Sequence, residues 1–162
     1  MKPEILVRYT AASQYPELGR IMARSFRAAF SDFISRETLE ACAVPENCAA
    51  LLASLPKEMT TVTGWVDGKL MGLLVFSQHR TGWTEIEAIH TLPESWGSGL
   101  GKAMLEFALE ETNAEKGVGL WAFWKNGRAR RFYEKHGFAW TGETRVSEFD
   151  GETEVRYERI LD

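Results

Sequence analysis

Leu92-Pro93-Glu94-Ser95-Trp96-Gly97-Ser98-Gly99-Leu100-Gly101-Lys102 decides how this chain is read. An apolar strand pattern runs into three glycines on alternate residues, and a helical pattern leaves directly from the last of them. A helix N-terminus carries unsatisfied N–H groups, and glycines before it let an anion approach the main chain closely. The amides from Gly97 to Lys102 can therefore converge on a pyrophosphate. The plainer alternative is a tight strand-to-helix turn that holds no ligand.

Two familiar phosphate patterns fail at this turn. The dinucleotide fingerprint G-x-G-x-x-G is excluded by the spacing Gly97, Gly99, Gly101. The Walker pattern fails twice, since Trp96 stands where its first glycine belongs and Ala103 follows Gly101-Lys102. A second cluster, Asn126-Gly127-Arg128-Ala129-Arg130-Arg131-Phe132-Tyr133-Glu134-Lys135-His136-Gly137-Phe138, lies about one βα unit downstream. Asn126 sits where an apolar strand ends and a helix begins, able to cap that helix or to meet a ligand at the strand's carboxyl end. Tyr133 has apolar neighbours and a hydroxyl that needs a partner; alone, such a tyrosine reads as core. Arg128, Arg130, Arg131 and Lys135 read as a solvated helix face from which one cation could meet a phosphate.

Working outward, Ile5–Tyr9 reads as a strand and Gln14–Phe30 as a helix. A second helix is expected near Ser35, interrupted by Pro45, with a further helical piece over Cys48–Leu55. Asp67-Gly68 between two apolar runs, Thr61–Val66 and Leu70–Phe76, signals a hairpin. After a polar loop, Trp83–Leu92 reads as a strand with Ile86, Ala88 and His90 on one face and Glu85, Glu87 and Ile89 on the other. A helix follows from Gly99 to Lys116. Val118–Trp124 is continuously apolar, as in a strand covered on both faces, and Gly127–Lys135 is a short helix closed by Gly137. Pieces at Phe138–Gly142, Arg145–Phe149 and Glu154–Ile160, with a second Asp-Gly pair at Asp150-Gly151, complete the chain. The order β-α-α-β-β-β-α-β-α-β-β predicts an α/β (α+β) mixed sheet with helices on both faces, in one domain over residues 1–162.

With both clusters in view, the sequence resembles the GNAT superfamily of acetyl-CoA-dependent N-acetyltransferases. That family's pyrophosphate loop reads Arg/Gln-x-x-Gly-x-Gly/Ala, and Trp96-Gly97-Ser98-Gly99-Leu100-Gly101 matches its glycines. Trp96 occupies the usual Arg/Gln position, which leaves more of the contact to backbone amides. Asn-x-x-Ala-x-x-Phe-Tyr-x-x-x-Gly-Phe is complete from Asn126 to Phe138. The resemblance implies the acyl-CoA N-acyltransferase fold, with acetyl-CoA as co-substrate. It places the coenzyme against Ile89, His90 and Thr91 on the fourth strand, against Trp96, Gly97, Ser98, Gly99, Leu100, Gly101 and Lys102 in the turn, and against Asn126, Phe132 and Tyr133. Tyr133 is implied as the acid that protonates the departing thiolate, and a backbone amide near Ile89 or His90 as the oxyanion donor.

Attack of an amine on a thioester needs alignment, a donor for the oxyanion, and an exit for the ammonium proton. An alkylammonium with a pKa of ~10.4 is mostly protonated at neutral pH, so a base or water chain is expected. Glu87 is the first candidate base, with Glu85 the neighbouring alternative and the plain reading of Glu87 an ion pair or a solvated position. His90 has a suitable intrinsic pKa but reads more naturally as structural. His79 reads as loop surface, and His136 as a helix-end residue favourable to the dipole. The acceptor is expected near the first two helices. There Phe26, Phe30 and Phe33 share a face as core or pocket wall, and Asp32 receives an ammonium or starts a turn.

Composition narrows the remaining classes. A length of 162 residues with 44% hydrophobic content fits one core, and a formal charge of -4 argues against a nucleic-acid partner. No 18-residue apolar stretch exists, which excludes a membrane span, so no membrane partner is expected, and the N-terminus lacks a signal-peptide pattern. Cys42 and Cys48 suit a reducing cytoplasm and supply no metal framework. The expectation is a cytoplasmic, metal-free enzyme acetylating a primary amine of a small-molecule or amino-acid-like acceptor. The alternatives are a protein or peptide N-acetyltransferase, a non-catalytic coenzyme A-binding regulatory domain, and a nucleotide-binding enzyme. A homodimer is expected only by analogy with the fold.

Overall fold

The structure is a computed structural model and describes residues 1–162, apart from the side chain of His79. The reading of His79 as surface therefore lies outside the described residues. The elements in chain order are β1 (Ile5–Tyr9), α1 (Tyr15–Phe30), α2 (Arg36–Cys42), α3 (Pro45–Ala53), β2 (Met59–Val66), β3 (Lys69–Arg80), β4 (Trp83–Thr91), α4 (Leu100–Thr112), β5 (Gly117–Phe123), α5 (Gly127–Lys135), β6 (Ala139–Val146) and β7 (Thr153–Ile160). They form one mixed sheet of order β1-β2-β3-β4-β5-β7-β6. Only β4 and β5 pair in parallel, and α4 makes the crossover between them.

Helices cover both faces because the strands carry apolar residues on both. On one face Leu18 and Ile21 of α1 and Leu52 of α3 pack on Leu73 and Val75 of β3. On the other, Leu100, Met104, Leu105 and Ala108 of α4 and Tyr133 of α5 pack on Val62, Leu74, Ile86, Leu120 and Tyr157. The helices start and stop where local chemistry dictates. Ser35 caps α2 by accepting from the Thr38 amide at 3.2 Å, and Asn126 caps α5 by accepting from the Ala129 amide at 3.2 Å. Left-handed Gly99 (φ 93°) and Asn113 (φ 50°) bracket α4.

One close approach positions the glycine turn. Gly64 of β2 and Gly72 of β3 face each other across the ladder. A Cβ at Gly64 would stand 2.7 Å from Leu100, and one at Gly72 3.1 Å from it. Their missing side chains make a notch for Leu100, which is 1% exposed, and burying a leucine contributes roughly 1.5–3 kcal/mol. The first residue of α4 is thereby fixed against the sheet.

The structure corrects four expectations. The helical piece expected over Cys48–Leu55 begins at Pro45 itself and ends at Ala53, with α2 already closed at Cys42, since a proline at N1 sacrifices no hydrogen bond. β3 continues to Arg80 and turns through Thr81-Gly82 into β4, with Arg80 opposite Trp83; the polar residues beyond Phe76 are ladder rather than loop. The two pieces expected over residues 138–149 are a single edge strand, β6, whose register shifts between Trp140 and Thr144. Phe149 falls in the loop after it.

The fourth correction concerns β4. Val75 pairs with Ala88 but Phe76 pairs with Ile86, so the register skips at Glu87. This β-bulge breaks the two-residue alternation. Ile86 and Ile89 end up in the core beneath α4 and α5. Ala88 packs beneath α1, and His90 reaches Ser25 of α1.

Candidate active site

The bulge and the end of the parallel ladder coincide. β4 and β5 pair from Trp83↔Gly117 to Ile86↔Leu120 and no further. Beyond Ile86 the strands separate, and the edge of β4 facing β5 has no strand partner. A cleft of about 790 Å³ opens there. It is lined by Glu87, Ile89, His90 and Thr91 on one strand and by Leu120–Phe123 on the other.

The glycine turn forms one mouth of this cleft. Gly97 and Gly99 hold φ of 83° and 93°, and a Cβ built at either meets no atom within 4 Å. Their requirement is thus conformational, and the space beside their backbone is open. Gly101 answers a different need, since its Cβ would stand 2.8 Å from Phe132 and push α4 off α5. Trp96, Gly97, Gly99, Leu100, Gly101, Lys102, Asn126, Phe132 and Tyr133 all line the cleft. Ser98 alone of the expected contacts does not; its Oγ accepts from the Leu100 amide at 3.2 Å and shapes the turn from behind.

Charge is segregated along the cleft. Lys102, Arg128 and Lys135 line the mouth beside the turn, whereas the carboxylates of the lining, Glu87 and Glu154, come from β4 and β7. Arg128 projects from the first turn of α5, and its Cζ lies 3.2 Å from the centroid of the Trp96 ring. Trp96 in turn donates its Nε1–H to the Thr91 carbonyl at 3.3 Å. Burial, followed by the repulsion of Arg131, lowers the Arg128 pKa from its ordinary value. The chain thus delivers from α5 a cation to the region where the matching family loop carries Arg or Gln. Sequence reading missed this pair, because residues 32 apart in the chain offer no local signal of contact.

Tyr133 is 6% exposed and lines the same cleft. Burial among Phe132, Phe138 and Tyr157 pushes its phenol well above the ordinary value. The hydroxyl therefore keeps its proton at any physiological pH and is a donor. Asn126 caps α5 through its Oδ1 and also lines the cleft.

The two carboxylates of β4 separate in role. Glu85 accepts from Arg156 Nη1 at 2.7 Å in a pair whose side chains are 15% and 11% exposed. Glu87, the bulge residue, is exposed, lines the cleft and accepts from Ser77 Oγ at 3.2 Å. His90 is 8% exposed, and burial lowers its pKa to about 4. Its Nδ1 lies 3.2 Å from Ser25 Oγ. It is a neutral member of the cleft wall, held in place by α1. His136 caps the end of α5 and packs edge-on to Phe132 at 4.6 Å. Burial and then Lys135 and Lys102 lower its pKa, so the expected gain from the helix dipole is outweighed.

Of the three phenylalanines assigned to the acceptor end, Phe26 and Phe30 line the cleft. Phe33 instead packs behind them on Phe30 and Phe123, at 5.6 and 5.3 Å between centroids. Asp32 is exposed in the turn after α1. Leu51, Leu55, Met59 and Phe149 also line the cleft, and nothing in their local sequence pointed there. Among the described residues no group of three or more His, Cys, Asp or Glu is arranged to hold a metal ion, and no helix is long and apolar enough to cross a membrane.

The chain and its fold have counterparts among known proteins. Residues 17–138 match the model of the Acetyltransferase (GNAT) family. The fold is similar to that of the PaiA N-acetyltransferase of Thermoplasma acidophilum in complex with coenzyme A, at 18% identity over 98% of this chain and 99% of that one, with a TM-score of 0.73. It is similar to apo-form YjaB of Escherichia coli at 21% identity over 98% and 99%, TM-score 0.77. It is also similar to an IAA acetyltransferase of Bacillus cereus at 14% identity over 98% and 100%, TM-score 0.65. Among curated protein sequences none matches significantly. The family match spans most of the chain, and the chain belongs to the GNAT acetyltransferase family.

Proposed function

We propose that the protein transfers an acetyl group from acetyl-CoA to the primary amine of a small-molecule acceptor by direct attack. One observation carries this: an open glycine turn at a helix N-terminus, a cationic mouth, and a buried protonated phenol all face one cleft. The coenzyme supplies the acetyl group as a thioester. The residues of the chain fit it. The amides from Gly97 to Lys102 and the cations Lys102, Arg128 and Lys135 suit a diphosphate. The β4 edge beyond Ile86 offers peptide groups to a pantetheine arm and to a developing oxyanion.

The remaining roles fall to side chains. Tyr133 holds a proton for the leaving sulfur. Glu87 stands at the bulge where the acceptor's ammonium proton has to be removed, with Ser77 orienting its carboxylate. Glu85 is withdrawn from that role by Arg156.

The test is ligand-dependent heat stability. Acetyl-CoA raises the melting temperature as a ligand that binds only the folded state must, while ATP and NAD leave it unchanged. An equal response to all three ends the coenzyme assignment.

A further inference from the structure

The half of the cleft opposite the glycine turn has a chemistry of its own. Its wall is built by α1, by α3 with the chain just after it, and by the loop between β6 and β7. Met22, Phe26, Phe30, Leu51, Leu55 and Phe149 all face in. None of the lining residues contributed by α1, α3 or that loop carries a charge. Leu51 is 52% exposed, so this is apolar surface open at the rim of a concave site. Such a surface marks a ligand with an apolar body.

The wall is also fixed in shape. Asp150 accepts from the Ser35 amide at 2.5 Å and from Thr38 Oγ1, which ties the β6–β7 loop to the start of α2. Phe149 is thereby held 5.3 Å from Phe26 and 6.2 Å from Phe123, ring to ring. An aromatic-sized body meets a preformed surface there, with little to reorganise.

The ionic groups nearby decide the rest. Glu87 and Glu154 are the carboxylates of the cleft lining; Glu154 already accepts from Arg145 at 2.9 Å, so Glu87, which also accepts from Ser77, is the carboxylate that suits the acceptor's one ammonium. The neighbouring arginines are committed: Arg156 to Glu85 and Glu158, Arg145 to Glu154, and Arg80 to Glu158. Lys102, Arg128 and Lys135 stand at the opposite mouth. Among the described residues of this lining, a carboxylate beside the reacting amine would meet Glu87 and Glu154 instead of an uncommitted cation, and a polyamine's second ammonium on the uncharged wall would have no counter-ion.

We propose that the acceptor is a monoamine on an uncharged, apolar body of about the size of an aromatic ring, seated against Phe26, Phe30 and Phe149. This rests on the coenzyme occupying the opposite half of the cleft. It narrows the acceptor to arylalkylamine chemistry and sets aside free amino acids and polyamines.

The experiment compares 2-phenylethylamine, phenylalanine and spermidine, by thiol release with acetyl-CoA and by direct calorimetric binding. Phenylethylamine is expected to exceed both others in kcat/KM by about 100-fold and to bind detectably where they do not. Phe30→Ala should cut its kcat/KM by about 30-fold with acetyl-CoA affinity unchanged, and Phe30→Leu should retain most of the activity. Leu51→Arg, at an exposed position, should shift preference toward phenylalanine. Equal or better use of phenylalanine or spermidine overturns the proposal, as does binding of none of the three amines. Failure of acetyl-CoA to bind is a separate result that removes the coenzyme reading, because amine order is read by calorimetry without it.

Discussion

The guanidinium carbon of Arg128 lies over the indole of Trp96, 3.2 Å from the ring centroid, so two residues from different βα units meet across the mouth of the cleft. The stack holds a charge that is partly withdrawn from water, and a cation so placed binds a phosphate more strongly than a free one. Arg128→Ala is expected to raise the Kd for acetyl-CoA about tenfold, with kcat within about twofold. Trp96→Ala should weaken binding in the same direction by loosening Arg128. Titration calorimetry at two salt concentrations checks both, since the effect of Arg128 should shrink as salt rises.

Tyr133→Phe removes one oxygen from a buried ring and leaves its packing on Phe132, Phe138 and Tyr157 in place. Turnover should fall by roughly 10²–10³-fold, with acetyl-CoA affinity unchanged. Because burial raises the phenol's pKa, the wild-type rate should show no alkaline limb from Tyr133 below about pH 10. Steady-state kinetics over pH 6–10 (an assay range, chosen to bracket ~pH 7 and the ordinary phenol pKa of ~10) decide this. Full turnover in the phenylalanine variant removes Tyr133 from the acid role.

Glu85 and Glu87 should respond in opposite ways. Glu85→Gln takes a charge from a largely buried ion pair on which Arg156 depends, and should cost about 2–3 kcal/mol in urea unfolding. Glu158, 3.2 Å from Arg156 Nε, limits the loss. Glu87→Gln at an exposed bulge should change stability by less than about 0.5 kcal/mol yet alter the pH dependence of kcat/KM. The reverse pattern would exchange their roles.

His90 makes stability depend on pH. Its folded pKa of about 4 lies below the ordinary 6.5, so between those values the unfolded chain binds the proton and the native state does not. Stability is therefore full above the unfolded value and is lost as pH falls toward 4. The loss between pH 7 and 4.5 should be roughly 2–3 kcal/mol. His90→Gln should flatten that part of the urea-midpoint profile.

The parts of the fold that local chemistry dictates were legible in the sequence. Asp67-Gly68 marked the β2–β3 hairpin, Asn126 and Gly137 bracketed α5, and the alternate glycines marked the start of α4. The half of the cleft beside the glycine turn was legible for the same reason, because a turn, a cap and a tyrosine at helical spacing are local features. The bulge at Glu87 was not, since it arises from register against β3. It reversed the faces of Ala88 and His90 relative to strict alternation. The order of β5, β7 and β6, the Trp96–Arg128 stack and the wall formed by Leu51, Leu55 and Phe149 are all long-range contacts. Residues of ordinary type make each of them, so no single stretch carries the signal.

A crystal structure of the acetyl-CoA complex tests the central claim most directly. Diphosphate oxygens are expected within hydrogen-bond distance of the amides between Gly97 and Lys102, the pantetheine arm between β4 and β5 beyond Ile86, and the sulfur beside the Tyr133 hydroxyl. A coenzyme bound elsewhere, with the Gly97–Lys102 turn left to solvent, would contradict it.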